Sequence, residues 1–297
     1  MSANHQTIIA QRSFIGPLFV LLGYFIFSTN GMWLILAPAG ATPYTIAAFR
    51  MLIGSVLLIL WLIIFKKKVL LSSFNWKSLL AYGLSTFLFQ ISFYNSVLYA
   101  GLAAGTVISV GSTPIFAGIL QWLIFSKKPG KIWYPATLMG VLGVVLLNLD
   151  AFNNANLQSL LLPLLAGFFS ATCVLSGPSA VKGQDPIVAG TAACTVVALL
   201  MLPFLFIYPV AWAFSAKGLL CVGMLGLANT AIGYLLIFKG FQTTTPAVAA
   251  SVTLIEPVGA ALIGIVFFNE NSSLAALAGI ALIVFSVGIL VFDKKAE

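Results

Sequence analysis

Apolar residues along this chain fall into ten long runs separated by short polar connections. A helix rises about 1.5 Å per residue, so runs of this length can cross roughly 30 Å of hydrocarbon. The runs are continuous rather than alternating in period two, which disfavours a β-barrel. We number them spans 1 to 10, at residues 14–36, 43–65, 77–99, 102–125, 132–149, 157–179, 186–208, 214–237, 246–268 and 272–292. The pattern predicts an all-α integral membrane protein with about ten transmembrane helices.

The sequence also repeats itself. A shift of 143 positions superimposes Pro43 on Pro186, Gly83 on Gly226, Pro114 on Pro257 and Asp150 on Asp293. Residues 14–149 and 157–292 are therefore interpreted as two copies of one five-helix unit. Because five is odd, the second copy crosses the membrane with the opposite orientation. Inverted-topology repeats of this kind are typical of alternating-access transporters.

Charge supports the membrane assignment and predicts an orientation. Only 7% of the residues are charged, against roughly 25% in soluble domains. Along alternate connections, one side of the membrane receives 12 of the 14 basic residues and the other side only Lys217. The positive-inside rule then predicts an inner-membrane protein whose tails, residues 1–13 and 293–297, are both cytoplasmic. Because the basic residues are spread over many loops, we expect contact with membrane lipids and not with nucleic acid.

Signatures of enzymes and of metal sites are missing from the sequence. The only histidine is His5 in the N-terminal tail, which excludes a His-dependent protease site and an HExxH zinc site. No GxxxxGK[ST] phosphate loop occurs. The three cysteines lie in or beside apolar runs, where they are typical buried residues. We expect no catalytic residue, no metal and no cofactor.

Two ionisable residues fall inside spans, where a charge costs at least ~2.5 kcal/mol on insertion scales. Arg50 is about 10 Å into span 2, and Glu256 is about 15 Å into span 9, near the midplane. Glu256 is suited to bind an amino group or to carry a coupled proton, and its alternative is a role in helix packing alone. Arg50 is suited to attract a substrate carboxylate, and its alternative is packing or snorkelling near the outer interface.

Polar and aromatic residues at helical spacing predict a cavity wall between the two halves. In span 3, Thr86, Gln90 and Tyr94 recur on one helical face. The alternative for each residue is an ordinary interhelical hydrogen bond or an interfacial aromatic. The candidate substrate-binding residues are Asn30, Trp33, Gln90, Tyr94, Asn229, Tyr234 and Glu256.

Proline and glycine predict the shapes and contacts of the helices. Pro114 in span 4 and Pro257 in span 9 each remove a backbone donor, so a kink is expected at both positions. Gly143 in span 5, and Gly279 and Gly288 in span 10, are predicted to let helices approach closely.

Three stretches of the chain resemble a known family. Residues 43–50 (PYTIAAFR), 247–258 (AVAASVTLIEPV) and 268–270 (FNE), together with the duplication, are similar to the EamA-like branch of the drug/metabolite transporter superfamily. The resemblance covers nearly the whole chain. It departs from the family pattern at residues 126–128, where the first copy has SKK in place of an acidic residue and only Glu270 of the second copy matches.

The resemblance implies a secondary carrier of metabolites with a central cavity between the repeats. We therefore expect alternating-access transport of a small organic metabolite, with an amino acid or related zwitterion favoured, a proton or counter-substrate as coupled partner, and export as the direction common among relatives. Two alternatives remain open from the residues: a passive facilitator or channel of the same fold, and a non-transporting membrane scaffold. The sequence leaves the oligomeric state open.

Overall fold

The structure is a computed structural model that describes residues 14–100, 102–148, 161–269 and 273–292. The predicted tails, residues 1–13 and 293–297, and the motif residues Asp150 and Glu270 lie outside the described residues. Within the described ranges the regular elements are helices, and no β-strand occurs. The prediction of an all-α membrane protein is confirmed.

All ten predicted spans are helical, and four of them are divided into successive helical segments. The helices are Ile15–Phe27 and Thr29–Leu36 (span 1), Pro43–Ile64 (span 2), Trp76–Ala100 (span 3), Leu102–Phe125 (span 4), Trp133–Leu147 (span 5), Leu161–Val181 (span 6), Pro186–Met201 and Phe204–Ile207 (span 7), Ala216–Met224, Leu225–Gly233 and Tyr234–Gly240 (span 8), Pro246–Val252 and Ile255–Phe268 (span 9) and Leu274–Phe292 (span 10). Among the described helices, eight spans are long and apolar enough to cross a membrane. Span 5 is shorter, at 15 residues, and span 3 has 25 residues but a more polar sequence.

The repeated prolines mark equivalent helix starts. Pro43 and Pro186 each occupy the first turn of a helix, where the missing N–H costs nothing. The residue before each proline caps the helix. Thr42 forms a capping box with Thr45, and the Asp185 carboxylate accepts a 2.9 Å hydrogen bond from the Ile187 N–H. Spans 2 and 7 are thus built from the same local signals.

Helix packing follows the duplication. Span 3 packs on span 6, and its repeat equivalent, span 8, packs on span 1. Span 4 packs on span 6, as span 9 does on span 1, while span 2 packs on span 7 and span 5 on span 10. If each span is replaced by its counterpart in the other repeat, the same set of packed pairs results. The two repeats are therefore related by a pseudo-two-fold axis and pack against each other, as inverted repeats do.

Glycines bring spans 5 and 10 into backbone contact. A Cβ placed on Gly143 would lie 2.8 Å from the Gly279 carbonyl oxygen, and one on Gly279 would lie 2.6 Å from the Gly143 carbonyl oxygen. Small residues are the usual means of close helix approach in lipid. The expectation for Gly288 is wrong, because nothing lies within 4 Å of the corresponding Cβ position.

Three loops, at residues 65–75, 126–131 and 182–185, carry seven lysines on one face of the protein, which we call the lysine-rich face. The first and third of these loops contact each other and close that face. Lys67 Nζ lies 2.7 Å from Asp185 Oδ2, and the Gln184 amide donates to Ser73 Oγ. Deeper on the same side, the rings of Tyr82 and Phe238 are 4.9 Å apart and both residues are buried. This face is therefore closed by an ion pair above a layer of packed rings.

The Lys67–Asp185 ion pair predicts a pH-dependent contribution to stability. Partial burial raises the pKa of Asp185, but hydrogen bonds from Lys67 and the Ile187 N–H lower it by more, so the pKa lies below its usual range. A depressed carboxyl pKa stabilises the fold above the unfolded pKa of about 3.9, and that stability is lost as pH falls through the folded pKa. Asp185→Asn is expected to lower the melting temperature at pH 7 by about 1 to 3 °C, because exposed pairs contribute roughly 0.2–1 kcal/mol.

The controls for this prediction use the same residues. Asparagine caps helices as well as aspartate, so Asp185→Asn removes the charge but keeps the cap of span 7. The difference from the unmodified protein should be lost as pH falls through the folded pKa of Asp185, and it should shrink in about 1 M salt. Melting curves of the purified protein across pH measure both effects, and a difference that grows toward acid pH would contradict the assignment.

Candidate functional site

Arg50 lies in the interior between the repeats, with 7% of its surface exposed. Its guanidinium donates from Nη2 to Gln90 Oε1 at 3.2 Å and from Nη1 to Asn30 Oδ1 at 3.4 Å. Spans 1, 2 and 3 therefore meet at this guanidinium. The snorkelling alternative for Arg50 is wrong, because the side chain turns inward to two neutral amides instead of outward to water.

Glu256 stands on the other side of Asn30. The Glu256 side chain is within electrostatic range of Asn30 and Arg50. Among the described residues the only ion pair within 4.0 Å is Lys67–Asp185, so Arg50 and Glu256 are not in direct contact. A guanidinium and a carboxyl group thus lie near the same interior amide. Asn30 and Glu256 both retain partly exposed surface there.

Asn229 of span 8 holds Asn30 in position. Its Nδ2 donates to Asn30 Oδ1 at 3.0 Å and to the Ile26 carbonyl oxygen at 3.1 Å. The Thr29 hydroxyl donates to Asn229 Oδ1 at 3.1 Å. Asn229 is fully buried, so its polar atoms have protein partners in place of water. We call Asn30, Arg50, Gln90, Asn229 and Glu256 the central polar cluster.

The backbone is irregular in the three spans that carry Asn30, Asn229 and Glu256. Span 1 breaks at Ser28, span 8 is a π-helix over Leu225–Gly233, and span 9 breaks between Val252 and Ile255. Their repeat equivalents, spans 6, 3 and 4, are each one continuous helix. Broken and π-helical segments inside membranes occur where the backbone lines a cavity or a site. The irregular backbone segments therefore lie in three of the spans that form the central polar cluster.

The repeat relation identifies an uncharged counterpart of this contact. Asn30 is equivalent to Cys173, and Asn229 is equivalent to Thr86. The Thr86 hydroxyl and the Cys173 thiol are 3.1 Å apart and bridge spans 3 and 6 as the two asparagines bridge spans 8 and 1. The charged residues have neutral equivalents as well, Ala193 for Arg50 and Thr113 for Glu256. In each of these two pairs, one position is ionisable and its repeat equivalent is neutral.

Comparison with known proteins identifies the family. The sequence model of the EamA-like transporter family matches twice, over residues 14–149 and 157–292. The chain belongs to the EamA-like transporter family. The uncharacterized transporter YwfM of Bacillus subtilis (strain 168) is 32% identical over 282 residues, which cover 94% of each protein. A solved crystal structure with 16% sequence identity aligns with a TM-score of 0.79 over 92% of this chain and 95% of that one, which supports the fold alone.

The family match confirms the resemblance inferred from residues 43–50, 247–258 and 268–270. It establishes a membrane transporter with two EamA repeats, and transporters are in general not enzymes. In the described part of this EamA-like transporter, no group of three or more His, Cys, Asp or Glu side chains is placed to bind a metal ion.

The remaining predicted site residues lie at different distances from the central polar cluster. Tyr94 is within electrostatic range of Arg50 and Glu256 and is partly exposed. Tyr234 is buried, with its ring 5.2 Å from Phe27. Trp33 is not part of the cluster. It packs among apolar residues near the end of span 1, where its carbonyl oxygen accepts a hydrogen bond from the Cys221 thiol.

Tyr44 is a neighbour of the site that the sequence did not identify. Its ring stacks 5.3 Å from Phe204 and 5.4 Å from Tyr208, and it meets Tyr94 edge to face at 5.8 Å. These rings join spans 2, 3 and 7 on the side opposite the lysine-rich face. Tyr44 lies in the first family stretch, but its partners lie in the other repeat, so no local pattern indicated the stack.

The two predicted proline kinks differ in the structure. Pro257 lies in the first turn of Ile255–Phe268, just after the break in span 9, and the Glu256 N–H bonds the Thr253 carbonyl oxygen. Pro114 lies inside Leu102–Phe125, which continues through it without a break. Of these two prolines, only Pro257 lies next to an interruption of its span.

Two buried donors of the central polar cluster have no hydrogen-bond partner. These are Arg50 Nε and Gln90 Nε2, in side chains that are 7% and 2% exposed. An unpaired buried donor typically costs about 1–3 kcal/mol, and more when it is charged. Both groups can only donate, so an acceptor such as a carboxylate would satisfy them together.

Proposed function

We propose that this protein is an alternating-access secondary transporter of a small zwitterion, an amino acid or a close relative. The observation that carries the proposal is the placement of Arg50 and Glu256 near Asn30, in the interior between the two repeats. A buried guanidinium and a carboxylate that do not neutralise each other directly are complementary to a ligand bearing both opposite charges.

The two ends of the site favour opposite ends of such a substrate. The unpaired Arg50 Nε and Gln90 Nε2 donors suit its carboxylate, and Glu256 suits its ammonium group. Charged groups in a membrane need partners, so a zwitterion would be favoured over a molecule with one charge. Tyr94, beside both charged residues, offers an aromatic surface for the side chain of the substrate.

The closed lysine-rich face supports a conformational cycle. Substrate passage on that side requires the Lys67–Asp185 pair and the Tyr82–Phe238 contact to separate. We propose that the repeats rock about the central polar cluster, so that one side opens as the other closes. A proton on Glu256, or a counter-substrate, would couple the cycle to an energy source.

Orientation and direction are part of the same proposal. Of the described lysines, nine lie in the loops and helix ends at the lysine-rich face and only Lys217 at the opposite one. This distribution supports an inner-membrane protein with the lysine-rich face and both tails in the cytoplasm. Export to the outside is the direction that the family resemblance favours.

Counterflow in liposomes tests the proposal. Vesicles preloaded with an unlabelled amino acid should take up the labelled one transiently and saturably, which a channel or scaffold would not do. Glu256→Gln is expected to reduce this uptake about tenfold or more, since a hydrogen bond to a charged group contributes roughly 1.5–3 kcal/mol. Glutamine preserves the shape of the side chain, so the variant should fold.

The matched control is Thr113→Val, at the repeat-equivalent position in span 4. Thr113 is buried and its hydroxyl bonds only the Ser109 carbonyl oxygen of its own helix, so its loss should change counterflow less than twofold. Unchanged flux in Glu256→Gln would remove Glu256 from the mechanism, and no counterflow with any amino acid would remove the substrate class.

A further inference from the structure

We propose that a groove between spans 4 and 5 is a binding site for an anionic phospholipid. The groove has a volume of about 460 Å³ and runs from Lys128 and Pro129 in the connecting loop to Val141 in span 5. This volume is within the range of small-molecule sites, about 300–1,000 Å³. The site is separate from the central polar cluster and does not depend on which substrate is transported.

The walls of the groove match an acyl chain. Ile119 of span 4 and Leu138 of span 5 line it, with 48% and 62% of their surfaces exposed on the outside of the helix bundle. In a chain that crosses the membrane, this surface faces hydrocarbon. From Trp133 to Val141 the wall extends about 12 Å, roughly the depth of one leaflet. The occupant of this part must be apolar.

The mouth of the groove selects the head group. Lys128 lies there with its Nζ 4.9 Å from the centre of the Trp122 ring. No carboxylate of the described residues lies within 4.0 Å of it, and Lys127 and Lys131 flank it in the same loop. Lysines next to a span attract anionic lipid by about 1 kcal/mol each. A molecule with a negative head and a hydrocarbon tail satisfies both parts, which selects an anionic phospholipid.

The inner wall of the groove is bonded to span 9. Trp133 Nε1 donates to the Ala247 carbonyl oxygen at 3.0 Å and to Ser251 Oγ at 2.9 Å. Thr137 and Ser251 share a 2.9 Å hydrogen bond between hydroxyls. Ser251 belongs to Pro246–Val252, the helix that precedes the break before Glu256. A lipid in the groove would therefore stabilise the wall that supports the first half of span 9.

Lipid titration of the full-length purified protein in neutral detergent tests the proposal. Dioleoyl phosphatidylglycerol and dioleoyl phosphatidylcholine share their chains and differ in head-group charge. We expect the phosphatidylglycerol to raise the melting temperature at lower concentration than the phosphatidylcholine. Lys128→Gln should weaken the apparent affinity for phosphatidylglycerol about fivefold and leave that for phosphatidylcholine unchanged.

Two further variants and one soluble probe complete the experiment. Lys77→Gln, an exposed lysine at the start of span 3, controls for loss of one positive charge and should leave both affinities unchanged. Ile119→Trp fills the groove from an exposed position and should weaken binding of both lipids. Inorganic phosphate should give no shift that depends on Lys128.

Equal effects of Lys128→Gln and Lys77→Gln would overturn the proposal, as would equal affinities for the two lipids in the unmodified protein. A phosphate shift that Lys128→Gln abolishes would assign the loop to a soluble anion instead. An Ile119→Trp variant that binds both lipids normally but changes oligomeric state would assign the groove to a second copy of the chain.

Discussion

Arg50→Gln is expected to reduce amino-acid counterflow about 10- to 100-fold while leaving counterflow of the matching decarboxylated amine nearly unchanged. The proposed carboxylate contact uses the charged Nε donor, and hydrogen bonds to charged groups contribute roughly 1.5–3 kcal/mol. An amine without a carboxylate does not form this hydrogen bond, so its counterflow should not depend on the Arg50 side chain. Counterflow of both labelled compounds in the same vesicles gives the comparison.

Arg50→Lys is the matched control for charge. Lysine keeps the positive charge but not the planar arrangement of donors, so counterflow of the amino acid should fall between that of Arg50→Gln and that of the unmodified protein. Because Arg50 also bonds Gln90 and Asn30, melting temperatures of both variants must accompany the transport data. Equal losses for the amino acid and the amine in a stably folded Arg50→Gln protein would refute the carboxylate role.

Gly143→Leu is expected to prevent spans 5 and 10 from packing, so that little folded protein is recovered from membranes. A Cβ at this position would lie 2.7 Å from Ile283 Cγ1 and 2.8 Å from the Gly279 carbonyl oxygen. The second contact is with backbone, which cannot rotate away as a side chain can. Overpacking typically costs about 1–3 kcal/mol, and more where backbones must separate. Yield of monodisperse protein and its melting temperature measure the effect.

Gly288→Leu in span 10 provides the matched comparison. The same substitution there meets open space, since nothing lies within 4 Å of the added Cβ. Its yield and melting temperature should stay close to those of the unmodified protein. Similar losses for the two variants would mean that leucine in these helices is harmful in itself and that the close contact between spans 5 and 10 is not the cause.

The helical fold followed from the sequence because each apolar run must satisfy its backbone hydrogen bonds within lipid. The shift that aligns Pro43 with Pro186 revealed the inverted repeats before any contact was known. The break in span 9 lies next to Pro257, where a kink was expected, but the divisions within spans 1 and 8 were harder to foresee. Ser28 has no strong helix-breaking side chain, and the π-helix at Leu225–Gly233 depends on how span 8 packs against spans 1 and 2.

The central polar cluster was predictable in part. Arg50 and Glu256 stood out because charges are costly in a membrane. Their link through Asn30 and Asn229 was not readable from spacing, because the two asparagines are 199 positions apart and meet only through the repeat packing. Trp33 was predicted to line the cavity as an aromatic residue of span 1. In the structure it packs among apolar residues near Cys221, at the end of that span.

The uneven regularity of the repeats has a consequence for the proposed transport cycle. In a transporter with inverted repeats, the opposite-facing state can form when each repeat adopts the conformation that the other repeat had before. Spans 1, 8 and 9 would then straighten, while spans 6, 3 and 4 would acquire the breaks. Glu256 stays with span 9 and Arg50 with span 2, and their repeat equivalents Thr113 and Ala193 are neutral. The two end states of such a cycle would therefore hold the same ligand in unequal surroundings.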